Sequence, residues 1–119
     1  MTPGGISIHA VDVARGVPAS GLTVALRRID PEPAVIAQGI CGTDGHFAHP
    51  VAQGQGVIRG IYEVTFGVGA YYRANDTDLP DPPFIGDAVF RFGIDRVQEH
   101  FHLPFKFTPW GFSLFRGGA

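Results

Sequence analysis

The chain has 119 residues and a formal net charge of −2; 45% of its residues are hydrophobic and 17% are charged. This length suits one domain with a hydrophobic core, which we expect to span residues 1–119, and it leaves too little chain for two domains. The absence of a basic cluster argues against nucleic acid as a partner, and no apolar run reaches the length of a transmembrane helix, so we expect no membrane partner.

Short β-type runs separated by Gly, Pro and Asp predict an all-β fold, an antiparallel sandwich of seven or eight strands with one short helix. In chain order, we predict strands at 6–13, 22–29, 35–41 and 60–68, a short helix at 69–76, and strands at 88–94, near 98–107 and at 110–116. The segments 16–21 and 42–46 have turn chemistry, and 79–87 is too rich in proline for a central strand.

Alternation along the strands separates a core face from a histidine face. In the first strand, Ile6 and Ile8 lie on the face opposite to Ser7 and His9. In the strand near 98–107, the aromatic face reads Phe101, Leu103, Phe105, and the opposite face carries His100 and His102. Because the apolar faces form the core, we expect His9, His100 and His102 to point to solvent or to a partner subunit.

These histidines titrate near neutral pH and are candidates for chemistry, although ordinary surface histidines would give the same pattern. The His100/His102 pair could also ligate a metal with His9 or His46 as a third ligand, but no carboxylate stands at a helpful spacing, so we expect no metal. Cys41 has no local catalytic signature, and no nucleophile elbow or phosphate-binding glycine loop is present.

Two further expectations come from composition. Low charge content favours an oligomer, because subunit interfaces are depleted of charge, although a Gly- and Pro-rich β-domain would explain it equally well. Cys41 is the only cysteine and cannot form an internal disulfide, and the first ten residues lack the features of a signal peptide. We therefore expect a soluble, cytoplasmic protein.

Four motifs in order resemble a known family. They are "SIHAVDVARGVPASGLTVAL" (7–26), "GTDGH" (42–46), "GIYEVTFGVGAYY" (60–72) and "HFHLPFKFTPWGFSLFRGG" (100–118). Together they resemble the transthyretin-like proteins, which include the 5-hydroxyisourate hydrolases, over nearly the whole chain and least across 74–87. The resemblance implies a transthyretin-like sandwich, a homotetramer with active sites at subunit interfaces, no cofactor, and ring-opening hydrolysis of a small purine-derived lactam in urate degradation.

The resemblance also implies roles for individual residues. The two catalytic histidines of the hydrolases fall on His9 and His102, and their C-terminal arginine falls on Arg116. Their C-terminal tetrapeptide lines the active site, which implies substrate-binding roles for Phe115, Gly117 and Gly118. A terminus with that task must be anchored, and we expect a packed strand face of Trp110, Phe112 and Leu114.

Three departures from the family pattern affect the substrate-binding residues. His46 replaces the arginine of the family's turn, although a slip of one residue would leave the assignment open and His49 is close by. Phe115 replaces a tyrosine, and Gly118 replaces a serine and is followed by Ala119. These changes remove a bidentate cation and two hydroxyls, so we expect a more apolar site and an altered, for example N-methylated, substrate.

We therefore favour a metal-free hydrolase in which one of His9 and His102 acts as general base. The other, with Arg116 and His46, would orient the substrate and stabilise the developing oxyanion. Two alternatives remain: a cyclase or isomerase acting on another small cyclic substrate, and a non-catalytic binder similar to transthyretin. The carriers of the family lack histidines at the positions of His9 and His102, which favours catalysis.

Overall fold

The computed structural model describes residues 4–118, and Met1–Pro3 and Ala119, including the predicted extension of the C-terminus by Ala119, lie outside the described residues. Its elements are β1 (Ile6–Asp12), β2 (Val17–Pro18), β3 (Thr23–Asp30), β4 (Ala34–Ile40), a 3₁₀ helix (Pro50–Gln53), β5 (Gly60–Phe66), α1 (Val68–Ala74), β6 (Ala88–Ile94), β7 (Phe101–Thr108) and β8 (Gly111–Leu114). Among the described residues, no helix is long and apolar enough to cross a membrane.

The strands form two four-stranded sheets, in the orders β2-β1-β7-β8 and β4-β3-β5-β6. This arrangement confirms the all-β sandwich with one short helix. The predicted antiparallel arrangement has one exception, because β1 and β7 run parallel, with Ser7 opposite His102. Hairpin partners must be antiparallel, but β1 and β7 are separated by most of the chain and no short connection dictates their direction.

The core lies between the two sheets and follows the predicted alternation. In β5, Tyr62, Val64 and Phe66 are fully buried, while the residues between them are partly exposed. The rings of Phe66 and Phe105 stack with centroids 3.9 Å apart and join the two sheets. Since side chains of a strand alternate between its faces, burial of Phe101, Leu103 and Phe105 leaves the residues between them on the outer face of β7.

A buried carboxylate holds α1 against the end of β1. Asp12 has no exposed surface, and it accepts hydrogen bonds from the hydroxyls of Tyr71 (3.0 Å) and Tyr72 (2.6 Å). Its Oδ1 also accepts from the backbone N–H of Arg15 at 3.1 Å. These donors satisfy a charge that would otherwise be costly to bury.

The C-terminal strand differs from the prediction in its packing. Leu114 is half-buried against the core, but Trp110 and Phe112 are 59% and 45% exposed, so the three residues do not form a packed face in the single chain. β8 is the edge strand of its sheet, and within residues 4–118 no neighbouring strand covers its outer side. The segment after β8 is nevertheless attached to the sheet, because the N–H of Gly117 donates to the carbonyl of His102 at 2.8 Å.

Candidate active site

The parallel pairing of β1 and β7 builds one polar face outside the core. Ser7 and His9 alternate with the buried residues of β1, and His102 alternates with those of β7. In the register of this pair, Ser7 lies opposite His102 and His9 lies opposite Pro104. The two histidines that the sequence proposed as catalytic are therefore diagonal neighbours on the same face of the sheet.

A chain of hydrogen bonds runs across this face through Ser7. The Ser7 hydroxyl lies 2.7 Å from Nε2 of His100 and 2.7 Å from Nδ1 of His102. The other nitrogen of His100, Nδ1, is hydrogen-bonded to the carbonyl oxygen of Gly4. The predicted common face of His100 and His102 is thus confirmed, and the serine hydroxyl connects the two rings.

The 42–46 turn holds the second part of the site. His9 Nε2 donates to the carbonyl of Asp44 at 3.0 Å, and the Asp44 carboxylate accepts from the backbone N–H of His46 at 3.0 Å. That N–H is the main reason that the pKa of the Asp44 carboxyl is lowered. Gly45 permits the close approach, because it has φ +81° and a Cβ there would lie 2.4 Å from the carbonyl oxygen of Ala10.

His46 and His49 have different surroundings. The ring of His46 stacks on that of His9, with centroids 4.3 Å apart and planes inclined by 24°. His49 instead caps the 3₁₀ helix, where its Nδ1 accepts from the N–H of Val51 at 3.0 Å, and its ring stacks on Phe47. The structure therefore brings His46, and not His49, to His9.

The C-terminal segment crosses the same face at His102. A Cβ on Gly117 would lie 3.1 Å from Cδ of Pro104 and 3.4 Å from Cδ2 of His102, so only glycine allows this approach without displacement. Gly118 is exposed and has open space around it, and Phe115 is 49% exposed. The two residues replaced relative to the family pattern thus have room for the missing hydroxyls.

Arg116 is not brought to this group of histidines within one chain. Its guanidinium donates to the carboxylate of Glu99 at 3.3 Å and to the carbonyl of His100 at 3.2 Å. It also lies 4.1 Å from the centroid of the Phe101 ring. Phe101 and His102 point to opposite faces of β7, so the guanidinium packs on the far side of the strand from the His102 ring, where it anchors the terminal segment.

The surroundings of the site lower the pKa of His102 and raise the pKa of Cys41. Burial lowers the pKa of His102, and the imidazoles of His100, His9 and His46 lower it further. Burial, with the Asp44 charge as a smaller cause, raises the pKa of the Cys41 thiol to about 12. Nucleophilic chemistry at the cysteine therefore has no thiolate to use near neutral pH.

The histidine face is open in the single chain. His9 and His102 are both partly exposed. A surface cavity of about 480 Å³ lies away from them, on the other sheet, where Thr23, Gln38 and Asp87 help to line it. Among residues 4–118, no three His, Cys, Asp or Glu side chains are grouped so that they could hold a metal ion. The expectation of a metal-free, cofactor-free site stays a prediction.

Sequence reasoning placed Ser7 on the histidine face but gave it no role, and it gave none to Asp44. The signal for Ser7 was present in part, because period-two alternation puts it on the face of His9. Its contact with His100 and His102 depends on the β1–β7 register, which joins residues more than 90 positions apart.

Comparison with known proteins connects this arrangement to a family. The model of the HIUase/Transthyretin family matches residues 6–117. The chain is 36% identical over 115 residues to a 5-hydroxyisourate hydrolase of Pseudomonas aeruginosa, covering 96% of this chain and 91% of that protein.

Two solved structures are similar as well. The structure of Klebsiella pneumoniae 5-hydroxyisourate hydrolase is 30% identical with a TM-score of 0.79, covering 99% of this chain and 100% of that one. The structure of an (S)-allantoin synthase is 30% identical with a TM-score of 0.91 over 98% of this chain, which spans 44% of that longer chain. The fold, the full-length match and the identities agree: the chain belongs to the HIUase/Transthyretin family.

Proposed function

We propose that the protein is a metal-free hydrolase that opens the ring of 5-hydroxyisourate or a related purine-derived lactam. The observation that carries the proposal is the presence of His9 and His102 on one partly exposed face, next to the C-terminal segment at Gly117. Relatives that bear the name 5-hydroxyisourate hydrolase, at 36% and 35% identity, support the substrate class. Such an activity would serve urate degradation, as the sequence resemblance implies.

The proposed reaction needs a base, a donor and a water molecule. A neutral imidazole takes a proton from water, the resulting hydroxide adds to the lactam carbonyl, and the carbonyl oxygen becomes an oxyanion. Collapse of this intermediate breaks the C–N bond, and the departing nitrogen takes the proton back from the imidazolium. His9 and His102 supply the base and the orienting partner, and His46, stacked on His9, faces the same space.

The three replaced residues support an altered preference within this substrate class. His46 offers at most one donor to a given atom, where an arginine would offer two and would always be charged. Phe115 and Gly118 add no hydroxyl donors. A site with fewer donors discriminates less against substrates whose N–H groups carry methyl groups, because fewer site groups are left unpaired. We therefore include N-methylated lactams among the candidate substrates.

We further propose a homotetramer whose interfaces complete the site. The exposed apolar side chains of Val89 on β6 and Phe112 on β8 lie on edge strands of the two sheets, and Phe84 and Trp110 add exposed aromatic surface. Exposed edge strands with apolar residues favour pairing with another chain. Light scattering should give a mass of four chains; a stable, active monomer would contradict this proposal.

In the proposed tetramer, Arg116 would gain the substrate-binding role that the family resemblance implies. Its side chain is about half exposed in the single chain, with a relative accessibility of 50%, although it pairs with Glu99. A substrate bound at the interface could therefore meet the guanidinium of one subunit and the histidines of the next. Phe115 and Gly118 would contribute to the same shared site.

The decisive experiment supplies freshly formed 5-hydroxyisourate, made from urate with a urate oxidase, and follows its loss by ultraviolet absorbance. The intact protein should accelerate the decay well beyond the spontaneous rate, and His102→Ala should not. Proton NMR of the product distinguishes the alternatives, because a ring-opened acid supports the hydrolase and a new cyclic product supports a cyclase or isomerase. Binding without any accelerated decay would support the carrier alternative.

A further inference from the structure

We propose that Ser7 and His100 act as positioning residues that fix the tautomer of His102, with the proton on Nδ1 and a free lone pair on Nε2. This inference rests on the proposed function and extends it, because it assigns the base to one atom of one histidine. It follows from the chemistry of four connected groups: the Gly4 carbonyl, His100, the Ser7 hydroxyl and His102.

The network begins at the backbone carbonyl of Gly4. A carbonyl oxygen can only accept a hydrogen bond, so the hydrogen bond between Gly4 and Nδ1 of His100 requires a proton on that nitrogen. In a neutral His100 the other nitrogen, Nε2, then has no proton and can only accept. The group 2.7 Å away, the Ser7 hydroxyl, must therefore donate its proton to His100.

The Ser7 hydroxyl has a single proton. A hydroxyl that donates to His100 has no other proton to give, so toward His102 the Ser7 oxygen must accept. Its partner there, Nδ1 of His102 at 2.7 Å, must carry a proton. A neutral His102 then has an unprotonated Nε2, which is the nitrogen that can remove a proton from water.

The network reverses the tautomer preference of a free histidine. A free neutral histidine in water favours the tautomer with the proton on Nε2, in which that nitrogen is not a base. The hydrogen bonds from Gly4 to His102 select the opposite tautomer, in the way that an orienting acceptor fixes the ring of a catalytic histidine. Burial of His102, which lowers its pKa, keeps the ring neutral near pH 7 so that the selected tautomer is populated.

In His9 the hydrogen bond places the proton on the opposite nitrogen from that of His102. Nε2 of His9 therefore cannot act as the base. Its Nε2 donates to the carbonyl of Asp44, so the proton of neutral His9 lies on Nε2. Protonated His9 would carry a second donor on Nδ1, suited to an oxyanion. The hydrogen-bond partners therefore divide the two histidines into a base, His102, and a donor, His9.

The test measures the tautomer directly on the protein without substrate. Two-dimensional ¹H–¹⁵N NMR of the histidine rings at about pH 8, where imidazoles are neutral, distinguishes a protonated from an unprotonated nitrogen. For wild-type His102 we expect a protonated Nδ1 and an unprotonated Nε2. Ser7→Ala should move the proton toward Nε2, Ser7→Thr should retain the wild-type pattern, and Ser113→Ala on β8 serves as the matched control. A proton on Nε2 in the wild type, or no change in Ser7→Ala, would overturn the proposal.

Steady-state kinetics then test the consequence. Ser7→Ala should lower kcat at least about tenfold with little change in KM, because a base in the wrong tautomer loses much of its catalytic contribution. Ser7→Thr should restore most of that loss, whereas a merely structural defect would also lower the melting temperature. The two proposals fail separately. The predicted tautomer in a protein that does not hydrolyse the lactam refutes the function alone, and full kcat in Ser7→Ala refutes the positioning role alone.

Discussion

The imidazole of His46 stacks on that of His9 at a centroid separation of 4.3 Å. This contact places a histidine ring at the position where the sequence resemblance implies an arginine in the hydrolases. Stacking also restricts how far the His46 ring can turn toward a substrate. The position therefore affects both the charge of the site and the geometry of its donors.

The first prediction concerns this position. His46→Arg should raise the rate of 5-hydroxyisourate hydrolysis about tenfold or more, because a guanidinium supplies a permanent charge and two donors. Adding Phe115→Tyr and Gly118→Ser should raise it further, since both positions are exposed and have room for a hydroxyl. Steady-state kinetics of the single and triple variants would measure this. Efficient turnover by the wild type with no effect of His46→Arg would mean that the replaced residues are neutral variation.

The second prediction separates the three histidines of the site. His9→Ala and His102→Ala should each lower kcat by about 10²- to 10⁴-fold, the usual contribution of an acid–base group. His100→Ala should cost only about tenfold, because in the proposed network His100 acts on His102 through the Ser7 hydroxyl. Circular dichroism should show that all three variants keep the β-fold. A dead His100→Ala beside a nearly normal His102→Ala would show that the base has been assigned to the wrong residue.

The third prediction concerns the close approach of the C-terminal segment. Gly117→Ala should lower kcat and leave the melting temperature nearly unchanged, because the added Cβ would press on the Pro104 ring at 3.1 and 3.2 Å and displace the terminal residues. Gly111→Ala in β8 is the matched control, since a Cβ there meets nothing within 4 Å. Equal activity of the two variants would argue that the terminal segment takes no part in the site.

The fourth prediction follows from the lowered pKa of His102, which burial causes first and the neighbouring imidazoles second. A lowered pKa keeps the ring neutral to more acid pH, so activity should be retained as the pH falls to about 6.5 and should be lost only below it. The acid limb of the pH profile of kcat/KM and the NMR titration of the His102 ring should have the same midpoint, below about pH 6.5. A midpoint above about 7 in the NMR titration would contradict the lowered pKa.

The fifth prediction concerns stability. Tyr72→Phe removes a 2.6 Å hydrogen bond to the buried Asp12 carboxylate and should lower the free energy of unfolding by about 1.5–3 kcal/mol, the usual value for a charged partner. Burial and the Asp12 charge raise the pKa of Tyr72, so the hydroxyl remains a donor at working pH. Tyr62→Phe is the comparison, because its hydroxyl bonds only to neutral backbone groups of Ile58: it donates to the carbonyl at 2.6 Å and accepts from the N–H at 2.9 Å, each bond costing about 0.5–1.5 kcal/mol. Urea denaturation should show a larger loss per hydrogen bond at Tyr72; an equal loss per hydrogen bond would mean that the Asp12 charge adds nothing.

Alternation in the sequence determined the sandwich and its core. The pattern of Phe101, Leu103 and Phe105 predicted their common burial, because side chains of a strand point alternately to its two faces. The same rule placed His9 and His102 away from the core before any contact was known. The alternation of side chains along a strand depends only on residues that are close in the chain.

Contacts between distant strands were decided by the tertiary structure. The parallel register of β1 and β7 brings Ser7 between His100 and His102, and nothing in either segment specifies which residue of the other it will face. The packing of Arg116 on Phe101 could likewise not be predicted from the sequence. A motif gives the identity of a residue but not the side of a neighbouring strand on which its side chain packs. The sequence by itself determined which side chains could do chemistry, and the non-local pairing of two strands decided which of them are joined by hydrogen bonds.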